Sequence, residues 1–177
     1  MTDSSIHSSR VRALTIAGVD PSGGAGICAD LKSFSAFGAY GMTVIAGLTA
    51  QNTQGVTGIG KINPDFLKQQ LETLSNDIQI DTIKIGMLST KENANIVKSW
   101  LKSLKNQENK ETFVVLDPVM VATSGNRLLA EDAEKAVLEL AEEADIITPN
   151  LPELKRMVEI LQGQASDQLV AKIDSAT

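Results

Sequence analysis

The chain has 177 residues, of which 42% are hydrophobic and 21% charged, ordinary values for a folded globular protein. The formal net charge of −6 argues against a nucleic acid or an anionic membrane as partner, and no apolar run reaches membrane-spanning length. The single cysteine, Cys28, excludes an internal disulfide and fits a reducing compartment, so we expect a cytoplasmic protein. The single histidine, His7, argues against histidine-based acid–base or triad chemistry.

The amino-terminal residues 1–10 are rich in serine and lack the apolar core of a signal peptide, so we expect a disordered tail there. Beyond the tail, no internal repeat, low-complexity stretch or linker interrupts the chain. We therefore expect residues 11–177 to form a single α/β domain.

The segment from residue 11 to residue 34 predicts a strand, a glycine-rich loop and a helix. Residues 11–17 are largely apolar, residues 18–26 contain four glycines, and apolar residues then recur at helical spacing. A glycine-rich loop before a helix suits a polar or anionic ligand, because the first N–H groups of the helix lack partners. The same arrangement also joins strands to helices in proteins with no ligand there, and it matches neither the P-loop nor the dinucleotide pattern. Both interpretations stay open.

The remainder of the chain alternates strands and helices. The predicted strands are 42–48, 81–87, 112–116 and 145–148, with an edge strand or small flap at 54–62. The predicted helices begin at Asn63-Pro64, at a capping box over 89–92, near Ala133, at Leu151, and at Gln168 after a loop over 162–167. Several strands are continuous apolar runs, which predicts a mostly parallel sheet with helices on both faces.

Polar residues follow the predicted strands, where parallel sheets bind ligands. In chain order they are Asp20, Thr49 to Asn52, Ser89, Asp117 and Asn150. Asp117, Asn150 and Glu153 could hold Mg²⁺, directly or through water. Asn150 and Glu153 also have the spacing of a helix capping box, which needs no metal.

Two further residues invite a functional interpretation beside a structural one. Lys84 lies inside an apolar strand and could face a phosphate, although an edge or snorkelling position is more usual. Cys28 follows the glycine-rich loop, where a helix N-terminus lowers a thiol pKa, but no base is nearby in sequence. We therefore expect Cys28 to be a small buried residue.

Five sequence blocks, in order, resemble the hydroxymethylpyrimidine/phosphomethylpyrimidine kinases. They are Ala13 to Lys32, Thr49 to Thr53, Lys84 to Leu88, Leu116 to Met120, and Ile147 to Glu153. The resemblance implies a ribokinase-like fold and a role in thiamine biosynthesis. The implied reaction is ATP-dependent phosphorylation of 4-amino-5-hydroxymethyl-2-methylpyrimidine and then of its monophosphate.

The resemblance also implies the site residues. Those that would line the pyrimidine pocket are Gly18, Asp20, Ala25, Thr49, Gln51, Met87 and Val114. The amide of Gln51 suits an aminopyrimidine edge because it offers a donor and an acceptor, and Met87 would be an adaptable apolar wall. Asp117, Asn150 and Glu153 would organise Mg²⁺ and ATP, with Asp117 and Glu153 as metal ligands, directly or through water.

The sequence departs from this family in one respect. The late Gly-x-Gly-Asp or Gly-x-Gly-Cys loop has no counterpart, since Gly163 is the only glycine after Gly125. We therefore expect that the C-terminal part of the fold is missing, that the catalytic residue is not in this chain, and that most catalysis is lost. Uncovered sheet surface would then favour a homo-oligomer. A non-catalytic pyrimidine-binding module and a pyridoxal-type kinase are the alternatives.

Overall fold

The structure, a computed structural model, describes residues 10–106, 112–120, 129 and 131–174, with side chains described up to residue 163 except that of Glu131. The expected tail up to residue 9, with His7, lies outside the described residues, as does the loop segment 121–128.

Six strands form one sheet. They are β1 (Arg12–Val19), β2 (Tyr40–Asn52), β3 (Gly55–Lys61), β4 (Thr82–Ile85), β5 (Phe113–Leu116) and β6 (Ile146–Ile147). Their order across the sheet is β3-β2-β1-β4-β5-β6, and only β3 runs antiparallel to its neighbour. The prediction of a mostly parallel α/β sheet is confirmed, and the edge strand or small flap predicted at 54–62 is the edge strand β3.

Five α-helices connect the described strands. They are α1 (Gly26–Ala36), α2 (Pro64–Asp77), α3 (Lys91–Lys105), α4 (Glu134–Ala141), which follows a 3-10 turn at Glu131–Ala133, and α5 (Leu151–Asp174). Within the described ranges, no helix combines the length and the apolar character needed to cross a bilayer.

The helices cover both faces of the sheet, as predicted. On one face, alternate strand residues such as Leu14, Val44 and Ile83 pack with Leu67 of α2 and Val97 of α3 in the main hydrophobic core. Helix α1 lies on the other face against β1 and β2. There the hydroxyl of the fully buried Thr15 donates to Asp30 of α1 at 2.6 Å.

Two helix boundaries differ from the predictions. The predicted loop at 162–167 is wrong, because α5 is continuous from Leu151 to Asp174. Gly163 costs only about 1 kcal/mol in a helix, and residues 162–167 contain no proline that would interrupt the backbone hydrogen bonds. The predicted capping box over 89–92 is also shifted: Thr90 is the N-cap of α3, and its side chain accepts from the N–H of Asn93 at 3.2 Å. Helix α2 begins as predicted, with Asn63 as its cap.

Candidate active site

The glycine-rich loop between β1 and α1 is organised by the buried carboxylate of Asp20. It accepts hydrogen bonds from the backbone N–H groups of Ser22, Gly24 and Ala25 and from the Ser22 hydroxyl, at 2.7 to 3.0 Å. Burial opposes the charge of Asp20, but these hydrogen bonds outweigh it and hold its pKa below the ordinary value of 3.8. Lys32 of α1 braces the loop from outside by donating to the carbonyl of Gly23 at 2.8 Å.

Gly26 lets the chain turn from this loop into α1. Its φ is +55°, and a Cβ at this position would collide with the carbonyl oxygen of Gly18. Ala25 is exposed as the N-cap of α1, and Cys28 in the first turn is half-buried instead of buried as expected.

A one-residue bulge in β2 decides which side chains face the loop. Ala17 pairs with Ile45, but the next residue of β1, Gly18, pairs with Gly47, so Ala46 is the extra residue. Before the bulge the even-numbered residues of β2 are buried, whereas after it the even-numbered residues Leu48, Ala50 and Asn52 are exposed. The bulge therefore reverses the two faces of the strand.

The reversal brings Thr49 and Gln51 to the face of the sheet that carries Gly18. The Thr49 hydroxyl lies 2.8 Å from the carbonyl oxygen of Val19 and 3.1 Å from Oε1 of Gln51, so its one hydrogen is shared between two acceptors. Gly18, Asp20, Thr49 and Gln51, predicted from the sequence as site residues, thus come together at the carboxyl ends of β1 and β2.

Two side chains that the sequence analysis missed hold the bulge in place. The buried amide of Asn93 donates to the carbonyl of the bulge residue Ala46 at 3.1 Å and to that of Leu88 at 3.0 Å. The amide of Gln70 in α2 accepts from the N–H of Ile45 at 3.0 Å and donates to its carbonyl at 3.2 Å. The bonds to Ala46 and Ile45 follow no local pattern, since the partners lie 47 and 25 residues apart in the chain.

The side chain of Met87 packs against the backbone of Gly18 and Gly47. Its terminal methyl fills the space that side chains at Gly18 and Gly47 would occupy, and a Cβ at Gly47 would lie 2.7 Å from the methyl carbon. Val114 is not brought to the group. It lies in the main hydrophobic core, paired with Ile83, and is fully buried there.

Asn150 and Glu153 form the predicted capping box at the start of α5. The Asn150 side chain accepts from the N–H of Glu153 at 3.0 Å, and Glu153 accepts from the N–H of Asn150 at the same distance. The second oxygen of the buried Glu153 carboxylate accepts from the N–H of Met120 at 3.2 Å. The capping interpretation is therefore confirmed, and Glu153 also ties α5 to the chain after β5.

Asp117 follows β5 at the same edge of the sheet and has an unusual electrostatic environment. Its carboxylate lies 3.8 Å from the ammonium of Lys84, which is also 3.3 Å from Asp30 of α1. Burial raises the pKa of Asp117 above the ordinary 3.8; the Lys84 charge opposes this rise, and the negative charges of Glu153 and Asp30 add to it. Lys84 is thus held by two carboxylates and is not at an edge of the sheet.

The described residues contain no cluster of three or more Asp, Glu, His or Cys side chains placed to hold a metal ion. Mg²⁺ does not require one, because it is usually held by one or two carboxylates together with water and substrate phosphates. The half-buried Asp117 and the nearby Glu153 are a donor set of that kind. Because both oxygens of Glu153 already accept backbone hydrogen bonds, a contact from Glu153 to the ion through water fits better than a direct one.

Comparison with known proteins extends these observations. The chain is 46% identical over 164 residues to the hydroxymethylpyrimidine/phosphomethylpyrimidine kinase of Salmonella typhimurium. The aligned region covers 92% of this chain and 60% of that protein. A phosphomethylpyrimidine kinase structure from Clostridium difficile 630 matches with a TM-score of 0.75 and 44% identity, over 84% of this chain and 62% of that one. An ADP complex of Bacillus subtilis pyridoxal kinase matches with a TM-score of 0.70 and 36% identity, over 84% and 54%.

The sheet, its helices and the polar residues at its carboxyl edge therefore define a protein of the ribokinase-like fold. More narrowly, this chain belongs to the phosphomethylpyrimidine kinase family, which matches it over residues 20–175. It spans between half and two thirds of the length of the three relatives named above.

Proposed function

We propose that this chain carries the pyrimidine-binding and magnesium-binding residues of an ATP-dependent kinase. The substrates would be 4-amino-5-hydroxymethyl-2-methylpyrimidine and its monophosphate, phosphorylated in thiamine biosynthesis. The observation that carries the proposal is the bulge at Ala46, which puts Thr49 and Gln51 on the same face as Gly18, with the Thr49 hydroxyl 2.8 Å from the carbonyl oxygen of Val19 just before Asp20. Family membership supports the reaction class.

The pocket has the chemistry that an aminopyrimidine needs. Gln51 offers an amide donor and acceptor to the ring edge, Thr49 adds a hydroxyl, and Met87 offers an apolar wall. Asp20 acts on the loop and not on the ligand, because its oxygens are occupied by the loop N–H groups. Val114 stays a prediction as a pocket residue, because it lies in the core.

The order of the strands separates the two tasks of a kinase. Gly18, Thr49 and Gln51 lie near the carboxyl ends of β1 and β2, and Met87 follows β4, whereas Asp117, Asn150 and Glu153 follow β5 and β6. In this proposal Asp117 holds Mg²⁺ and Glu153 does so through water. The ion would neutralise the phosphates of ATP near the substrate hydroxymethyl group, as phosphoryl transfer requires.

A turnover experiment tests the reaction and its alternatives together. The 177-residue chain is incubated with ATP, Mg²⁺ and either hydroxymethylpyrimidine or pyridoxine, and products are identified by mass. Asp117→Asn, purified in the same way, is the control, because product that persists in it comes from a contaminating kinase. We expect that a product formed by the wild type and absent with Asp117→Asn is the pyrimidine monophosphate.

The other outcomes assign the chain differently. Preferential phosphorylation of pyridoxine would make it a pyridoxal-type kinase, the class of the Bacillus subtilis structure that it resembles. Pyrimidine binding without any product would make it a non-catalytic binding module. The absence of both binding and product in a folded sample would contradict the proposal.

A further inference from the structure

Ser89, between β4 and α3, has two unusual features. Its φ is +67°, the left-handed region that non-glycine residues rarely adopt, and it is the only such residue in the described part of the chain. Its side chain is 95% buried, since its relative exposure is 5%, yet its hydroxyl has no hydrogen-bond partner among the described residues. Both features destabilise the free protein, and both are typical of residues held for a functional reason.

The hydroxyl of Ser89 lies against the notch between Gly18 and Gly47. A Cβ at Gly47 would lie 2.5 Å from Ser89 Oγ and 2.7 Å from the methyl carbon of Met87. A Cβ at Gly18 would also collide with that methyl group. The two glycines therefore leave a space between neighbouring strands, with Met87 filling it and the Ser89 hydroxyl at its side.

This notch lies beside the residues of the proposed pyrimidine pocket. Gly47, Thr49 and Gln51 share one face of β2 after the bulge, and Gly18 pairs with Gly47 on the same face of the sheet. A flat ring held by Thr49 and Gln51 would thus lie next to the notch. The methionine side chain is unbranched and flexible, so its methyl group can leave the notch at low cost.

We propose that Ser89 is a specificity-determining contact of the pocket. When a ligand moves the methyl group of Met87 out of the notch, the Ser89 hydroxyl forms a hydrogen bond with the polar edge of the aminopyrimidine. A hydroxyl can donate or accept, so it matches either a ring nitrogen or the amino group. The inference rests on the proposed function, because it names a further contact within the same pocket.

The test combines calorimetric titration of hydroxymethylpyrimidine with thermal unfolding of the ligand-free chain. Ser89→Ala is compared with the wild type and with Ser33→Ala, a matched change at an exposed position of α1. We expect Ser89→Ala to bind about tenfold more weakly, the value of one hydrogen bond in a desolvated site. Its Tm without ligand should equal or exceed that of the wild type, because the lost hydroxyl had no partner in the protein.

Ser89→Gly is the second variant, since it removes the hydroxyl and also relieves the left-handed backbone conformation. Ser89→Gly should bind hydroxymethylpyrimidine as weakly as Ser89→Ala does. Its Tm without ligand should be higher than that of the wild type. Unchanged affinity in both variants would overturn the proposal and leave the proposed function intact. A lower Tm of Ser89→Ala with unchanged affinity would show a structural hydroxyl paired with a buried water, and would also overturn it. A folded wild type that binds no pyrimidine would overturn the proposed function and this contact with it.

Discussion

The hydrogen bonds of Asp20 show whether the N–H groups of the glycine-rich loop are free to bind a ligand. The loop could have held an anionic ligand on free N–H groups, but the carboxylate of Asp20 already accepts those of Ser22, Gly24 and Ala25. The loop therefore contains its own anion. With those N–H groups occupied, and with Gly26 at positive φ at its end, the loop is not a free phosphate cradle.

Gln51 is the residue on which the pyrimidine assignment depends most directly. We expect Gln51→Ala to weaken binding of hydroxymethylpyrimidine by about tenfold to thirtyfold, because a polar ring edge loses its amide partner. Folding should be unaffected, since the side chain is only partly buried. Calorimetry gives the affinity, and Gln54→Ala in the adjoining turn is the matched control. Equal affinities of Gln51→Ala and the wild type would remove Gln51 from the pocket.

An ion pair joins Arg12, at the start of β1, to Asp81, just before β4, at the amino ends of these two strands. This pair makes the stability of the protein depend on pH. Arg12 contacts Asp81 through its backbone N–H and two guanidinium nitrogens, at 2.6 to 2.9 Å. The Arg12 hydrogen bond lowers the pKa of Asp81 below 3.8, although burial opposes it. Because the folded-state pKa is lowered, this stabilisation is present above 3.8 and is lost as the pH falls below that value.

We therefore expect the free energy of unfolding to decrease steeply below about pH 4 and to change little for this reason above it. Asp81→Asn should be less stable by about 1 kcal/mol at pH 7, and its stability should decrease less on acidification. Urea unfolding at several pH values measures both effects. Asp77→Asn, an exposed carboxylate at the end of α2, is the control. Parallel pH curves for Asp81→Asn and the wild type would contradict the assignment.

At the scale of elements, the bulge in β2 links the core to the site. Asn93 donates to the carbonyl of the bulge residue Ala46 and to that of Leu88. We expect Asn93→Ala to destabilise the protein by about 2 kcal/mol, since two buried carbonyls lose their donor. It should also weaken pyrimidine binding, because the strand face would no longer be fixed.

The control for Asn93→Ala is Asn95→Ala, an exposed asparagine on the same helix. Urea unfolding and calorimetry of both variants separate the two effects. A loss of stability with unchanged pyrimidine affinity would show that Asn93 supports the core only, and that the bulge holds its shape without it.

Sequence patterns were sufficient for the elements but not for the bulge. Continuous apolar runs and cap residues such as Asn63 are local signals, and they correctly predicted the strands and most helices. The bulge depends on Asn93 and Gln70, which act across tens of residues, so no local pattern contains it. Val114 stays a prediction as a pocket residue: it is level with Ile83 and Leu14 in the core, four residues before Gly18 along β1, and a match of sequence blocks does not specify such a depth. The continuity of α5 was missed because residues 162–167 are mostly small or polar and carry no apolar stripe that would predict a helix there.

At the scale of the whole molecule, exposed apolar side chains of the described surface include neighbouring residues at one side of the sheet and along α5. Phe113 of β5 and Ile146 of β6 are exposed at the sheet. Helix α5 exposes Leu151, Leu154, Val158 and Leu161 along one face. Apolar surface of this kind is typical of interfaces, and it supports the proposal of a homo-oligomer.

We expect the 177-residue chain to self-associate in a concentration-dependent way, which light scattering measures. The double variant Leu154→Gln and Val158→Gln should shift the chain toward the monomer, because it removes apolar area from α5. Lys155→Gln, a change at an exposed polar position of the same helix that removes no apolar area, should leave the association unchanged. A wild type that is monomeric at every concentration would contradict this expectation.

The most direct test of the central claim is a calorimetric titration of hydroxymethylpyrimidine into the folded 177-residue chain. The account predicts saturable binding at one site per chain, below about 1 mM, because Gly18, Thr49, Gln51 and Met87 are already assembled in the structure. It also predicts that pyridoxine binds more weakly. A folded chain that releases no heat with the pyrimidine, or that prefers pyridoxine, would contradict the claim that this edge of the sheet is a pyrimidine site.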